Sequence, residues 1–223
     1  MSVPFWSQTA ELVKSDLRSE LRAGEVLAIT IPFGAVALLL IPFAVGTDVP
    51  LLRQIGPGMY WAVVLLFGML VALRRTASEG QGRSDLIGML GVDPAAHFTG
   101  RAAATALLII GFEIVLWPVA IALYDARISG WAWTALLIPL VAIGLALLTT
   151  VVGAIAARSG SGQTLIPLLV APLAIPLLLA ATQVHEALRL GEGILGWLTL
   201  MVTMNLVLAV AGVLSARPLQ EAQ

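Results

Sequence analysis

Chemistry in this chain has to start from Glu113, the one acidic, basic or histidine residue within six long apolar runs. It falls midway along 102–124. A carboxylate at bilayer depth costs at least ~2.5–3.5 kcal/mol on insertion scales, so it faces the bundle interior and seeks partners. Two readings stay open: a polar element of a conduit or of a switch between packings, or a protonated side chain bonded to a neighbouring helix carbonyl. The two histidines, His97 and His185, fall on opposite sides of the apolar runs and do not jointly ligate a metal. No Walker-type glycine loop, Ser/His/Asp set or HExxH occurs, and there is no cysteine for thiolate or disulfide chemistry. A lone buried Glu makes a poor catalytic set, so the chain reads as non-catalytic, with no metal site and no cofactor of its own.

The elements that must position Glu113 are the runs 26–45, 55–73, 102–124, 131–157, 163–184 and 194–216. Each has about the length that crosses a hydrocarbon core of roughly 30 Å as a helix. Hydrophobic residues make up 59% of the chain and charged ones 11%, against roughly 25% charged in soluble domains. Backbone groups left unpaired in lipid are so costly that the spans must be helical, and no polar/apolar alternation suggests a barrel. The expected fold is an all-α membrane protein with one domain of six transmembrane helices over 26–216. An amphipathic interfacial helix over 1–25 precedes it, a cytoplasmic loop at 74–101 interrupts it, and a cytoplasmic tail at 217–223 follows. Nine of the twelve cationic residues flank the spans on one side and three on the other, which predicts both termini cytoplasmic.

Within the first segment, Trp6, Ala10, Val13, Leu17 and Leu21 form one apolar stripe. That describes a helix lying in the interface or, alternatively, a soluble helix packed on a partner subunit. Pro57 fits the first turn of the second span, and Tyr60 and Trp61 fall where an aromatic belt is expected. Trp131 and Trp133 give the same belt signal at the fourth span. Asp85–Leu90 is an apolar patch too short to span, capped by Ser84-Asp85 and stopped by Pro94. It reads as a short docked helix or a patch resting on lipid headgroups. Pro167, Pro172 and Pro176 each remove a backbone donor from the fifth span and invite kinks, with His185, Glu186 and Arg189 just outside its end.

Several stretches together resemble one family. Leu51-Leu-Arg-Gln-Ile-Gly-Pro-Gly-Met-Tyr-Trp-Ala62 and the span ending Ala72-Leu-Arg-Arg75 resemble the second span of the CcmB (haem exporter B) family. Leu165–Ala181 has proline spacing similar to its fifth span, Asp16–Arg22 resembles its N-terminal segment, and Glu113-Ile-Val-Leu-Trp-Pro118 resembles its third span, glutamate included. The likeness covers essentially the whole chain in order.

The resemblance implies an ABC-2 exporter-like fold with an N-terminal elbow helix and a coupling helix after span two. It implies a bacterial inner-membrane permease subunit without ATPase activity of its own. A CcmA-like ATPase, a CcmC-like haem-handling subunit and a second permease copy would be its partners, in the lipid bilayer and without nucleic acid. The complex would handle ATP and haem in cytochrome c maturation, releasing the haem-loaded chaperone. Asp85, Leu86, Ile87, Met89 and Leu90 would then dock the ATPase, with Asp85 at the family's Glu position. Gly88 and Gly91 depart from the family's loop and weaken that helix by up to ~1 kcal/mol each relative to alanine. Pro167, Pro172, Pro176 and Glu113 would supply a switch. His185 is either an axial ligand for a passing haem or a loop histidine at headgroup level. Alternatives are an ABC-2 type permease for a lipid, drug or polysaccharide precursor, or a membrane assembly protein outside transport.

Overall fold

A computed structural model describes residues 4–23, 25–46, 48–78, 93–124, 131–159 and 162–221. The patch Asp85–Leu90 lies outside the described residues. Among them every regular element is a helix: α1 (Phe5–Ala23), α2 (Glu25–Val45), α3 (Val49–Ser78), α4 (Pro94–Tyr124), α5 (Trp131–Ser159), α6 (Gly162–Leu190) and α7 (Leu195–Glu221). Six of these, α2 to α7, are long and apolar enough to cross a membrane. The helices α3, α4, α5 and α6 pack on one another to form the centre, and α2 and α7 lie at its edges. On α2, Ile29, Phe33, Val36, Leu40 and Phe43 form one exposed stripe, Phe43 with 78% of its surface accessible. Such a face suits hydrocarbon, where burial against protein brings little gain.

Local signals fix helix ends that hydropathy misses. α3 starts at Val49, capped by Asp48, whose Oδ1 accepts the Leu51 N–H at 3.4 Å. Pro50 therefore occupies the first turn and Pro57 lies two turns further in, contrary to the first-turn expectation for Pro57. α4 begins at Pro94, eight residues before the apolar run, because Asp93 Oδ1 caps the Ala95 N–H at 2.9 Å. α6 passes Pro167, Pro172 and Pro176 as one continuous helix and runs to Leu190, carrying His185, Glu186 and Arg189 with it. Gly191 ends it with φ 74°, and the Glu192 N–H donates to the Ala187 carbonyl at 2.8 Å, closing a Schellman turn.

Helix α1 lies on the first half of α4. A β-carbon at Gly100 would stand 3.0 Å from Leu12 Cβ and 3.3 Å from the Thr9 carbonyl, so glycine is what lets the helices touch. The Asp93 N–H donates to Gln8 Oε1 at 3.1 Å across the same junction. The expected stripe is split there. Val13 and Leu17 are half-buried, whereas Trp6 is 75% exposed and Ala10 is exposed too, Thr9 and Leu12 taking the inward positions. On α2, Pro42 has no N–H to give the Leu38 carbonyl, and Tyr124 Oη from α4 donates to it instead at 2.8 Å.

Candidate functional site

At the end of the bundle opposite α1, the helix ends splay around a cavity of about 560 Å³. The start of α3 contributes Arg53, Pro57 and Tyr60, the end of α4 Trp117 and Tyr124, α5 Thr134, and the end of α6 Thr182, His185, Glu186 and Arg189. Its rim is charged: Arg189 Nε donates to Glu186 Oε2 at 2.9 Å, and its second nitrogen bonds the other oxygen. Its floor is aromatic.

Tyr60 and Trp61 are each 1% exposed and belong to the core, not to a lipid-facing belt. The reason is the central position of α3, which is packed by α2, α4, α5 and α6 so that neither ring has lipid to face. Tyr60 meets Trp61 edge-on at 4.9 Å and Trp117 at 5.0 Å between ring centroids. The imidazole of His185 sits between Trp61 at 6.0 Å and Trp117 at 5.7 Å. Below them, Tyr60 Oη donates to the Glu113 backbone carbonyl at 3.1 Å. Trp133, in contrast, is exposed.

His185 Nδ1 lies 3.0 Å from the Ala181 carbonyl. A carbonyl only accepts, so Nδ1 carries the proton and Nε2 keeps a lone pair. That Nε2 is buried without a hydrogen bond to any described residue, and so are Trp61 Nε1 and both carboxyl oxygens of Glu113. A buried polar atom without a partner costs about 1–3 kcal/mol, so four of them on three residues around one aromatic group call for an explanation. The carbonyl partner that one reading gave the Glu113 carboxyl is not formed among the described residues; Glu113 is 0% exposed and meets Tyr60 through its backbone instead.

The expected site residues thus separate. Glu113 and His185 are joined through the Tyr60 and Trp117 rings, one helical turn separating Trp117 from Glu113 on α4. The prolines run along α6, and the docking residues 85–90 are outside the described structure. His97 stands in the first turn of α4, away from the cavity. Among the described residues no group of three or more metal-ligating side chains gathers. Sequence reasoning missed Tyr60 as cavity floor and Trp61 as a core residue beside it; adjacent aromatics at a span's start carry the same signature whether they face headgroups or core.

Six helices long and apolar enough to cross a membrane, four of them lining a ligand-sized cavity at one end, define the class: a multi-pass helical membrane protein. The family model described as "CcmB protein" matches residues 7–220, and the chain belongs to that family. It is 29% identical over 207 residues to the heme exporter protein B of Bradyrhizobium diazoefficiens, covering 92% of this chain and 93% of the relative. The Haemophilus influenzae heme exporter protein B is 27% identical over 202 residues, covering 87% and 88%. The Rhodobacter capsulatus protein of the same name is 29% identical over 170 residues, covering 75% and 78%.

Proposed function

We propose that this chain is the permease subunit of a haem-handling complex for cytochrome c biogenesis in the bacterial cytoplasmic membrane, both termini inside. The observation that carries the reading is the end-to-end family match over residues 7–220. The names of the relatives supply the cargo class, haem. In this reading the energy source is a separate CcmA-like ATPase, in keeping with a sequence that has no phosphate-binding glycine loop. A CcmC-like subunit takes the haem-handling role beside it, and the output is release of a haem-loaded chaperone.

The mechanical part falls to the bundle. Nucleotide-driven closure pushes on residues 85–90, and α6, with a backbone donor missing at Pro167, Pro172 and Pro176, is the helix that takes part in the switch. Glu113, buried without a carboxyl partner in this packing, gains one in the other. Deleting the gene and staining membranes for covalently bound haem tests the proposal. We expect c-type cytochromes to fall at least tenfold while b-type cytochromes persist, with recovery from a plasmid copy. Unchanged c-type content would overturn the assignment and favour another cargo.

A further inference from the structure

We propose that the cavity at the far end of the bundle is a haem site, with His185 Nε2 as the axial ligand to iron. The inference rests on the haem-handling role above and adds a place and a ligand to it. A neutral imidazole that donates Nδ1–H to a backbone carbonyl has its ring orientation fixed and its second nitrogen basic, which is the usual preparation of a metal-binding histidine. His185 has that arrangement, with Ala181 as the carbonyl partner and Nε2 unspent. Trp117, tilted 46° to the imidazole, and Tyr60 give the cavity an aromatic wall that suits a planar macrocycle. The volume, about 560 Å³, lies inside the ~300–1,000 Å³ range of pockets that bury small molecules.

The rim fits the other end of the ligand. Arg189 places a guanidinium group on the cavity wall, where Glu186 is its present partner. Guanidinium is the group best shaped to pair with carboxylates such as haem propionates. A propionate at Arg189 takes the place Glu186 now holds. A bare divalent cation is a poor alternative, since it would need more protein ligands than the described residues bring together. Trp117 lines the cavity and Trp61 does not, so Trp117 is the wall that turns to open Nε2 to the incoming iron.

The test is haemin titration of the purified full chain in lipid nanodiscs, read by the Soret band. The chain has only two histidines, which makes the assignment clean. Wild type and His97→Ala should bind saturably with the red-shifted band of histidine-ligated iron. His185→Ala should lose that shift and bind at least tenfold more weakly, and added imidazole should restore the shift. His185→Met, which keeps a side chain able to ligate iron, should still bind haemin but at a raised reduction potential. An unaltered Soret band and potential in both His185 variants would overturn the site, as would a wild type that takes up no haemin. Either failure would leave the subunit role standing, because that role is judged by cytochrome assembly in cells.

Discussion

Replacing Leu86 with aspartate is expected to strip the ATPase from the purified complex. The stretch Asp85-Leu-Ile-Gly-Met-Leu90 is too apolar for water and too short to span, so under the proposed function its Leu86, Ile87, Met89 and Leu90 fill a groove on the ATPase. A carboxylate forced into that groove loses its hydration and finds no partner. Interface anchors typically cost ~2 kcal/mol or more when lost, which corresponds to roughly a thirtyfold weaker complex. The measurement is the ATPase-to-permease ratio after affinity purification, with c-type cytochrome content read in the same strain. Leu86→Met, similar in volume and equally apolar, should leave both unchanged. Full ATPase retention in Leu86→Asp would show that coupling runs through another surface.

Gly144→Leu is expected to break the junction of α5, α6 and α7. A β-carbon at Gly144 would already stand 2.5 Å from Asn205 Oδ1 and 2.6 Å from Leu177 Cδ2, with no room for the branched remainder. Asn205 cannot simply retreat, because its Nδ2 donates to the Leu140 carbonyl at 2.9 Å and so ties α7 to α5 one turn away. Overpacking of this kind costs about 1–3 kcal/mol, and a lost interhelical hydrogen bond adds ~0.6–1.7 kcal/mol. Gly111→Ala is the control: its β-carbon meets no described atom within 4 Å, and alanine is the better helix former. Thermal unfolding in detergent should separate the two, Gly144→Leu falling and Gly111→Ala holding or rising. Equal midpoints would mean the three helices do not pack as described.

Where the sequence is legible and where it is not follows from physics. The spans announce themselves because lipid admits few charges: five of the six apolar runs fall within helices long enough to cross, and the sixth starts one residue before its helix. Their ends are less visible because a helix does not stop where hydropathy does. α6 carries His185, Glu186 and Arg189 inside the helix, not beyond it, and stops only at Gly191, where the backbone needs positive φ. Asp48 and Asp93 have the residue type of caps, but each lies several residues ahead of the apolar run that marks its span.

The aromatic floor was the harder case. Which way Tyr60 and Trp61 face depends on which helices surround α3, and the spacing of residues along one helix carries no record of its neighbours. Glu113 was identifiable from cost alone, since a carboxylate among so many apolar residues is expensive. Its isolation from any carboxyl partner among the described residues appears only once the neighbouring helices are in place.

The central claim is that this membrane bundle has no engine of its own and is moved by a nucleotide-hydrolysing companion. Affinity purification of the tagged chain from native membranes, with subunit identification and ATP hydrolysis measured on the same sample, tests it most directly. An ATPase subunit recovered in fixed ratio with the chain, hydrolysing ATP in the purified sample, is the predicted result. A chain that purifies intact and alone from membranes competent in cytochrome c assembly, with no hydrolysis above background, would contradict the account.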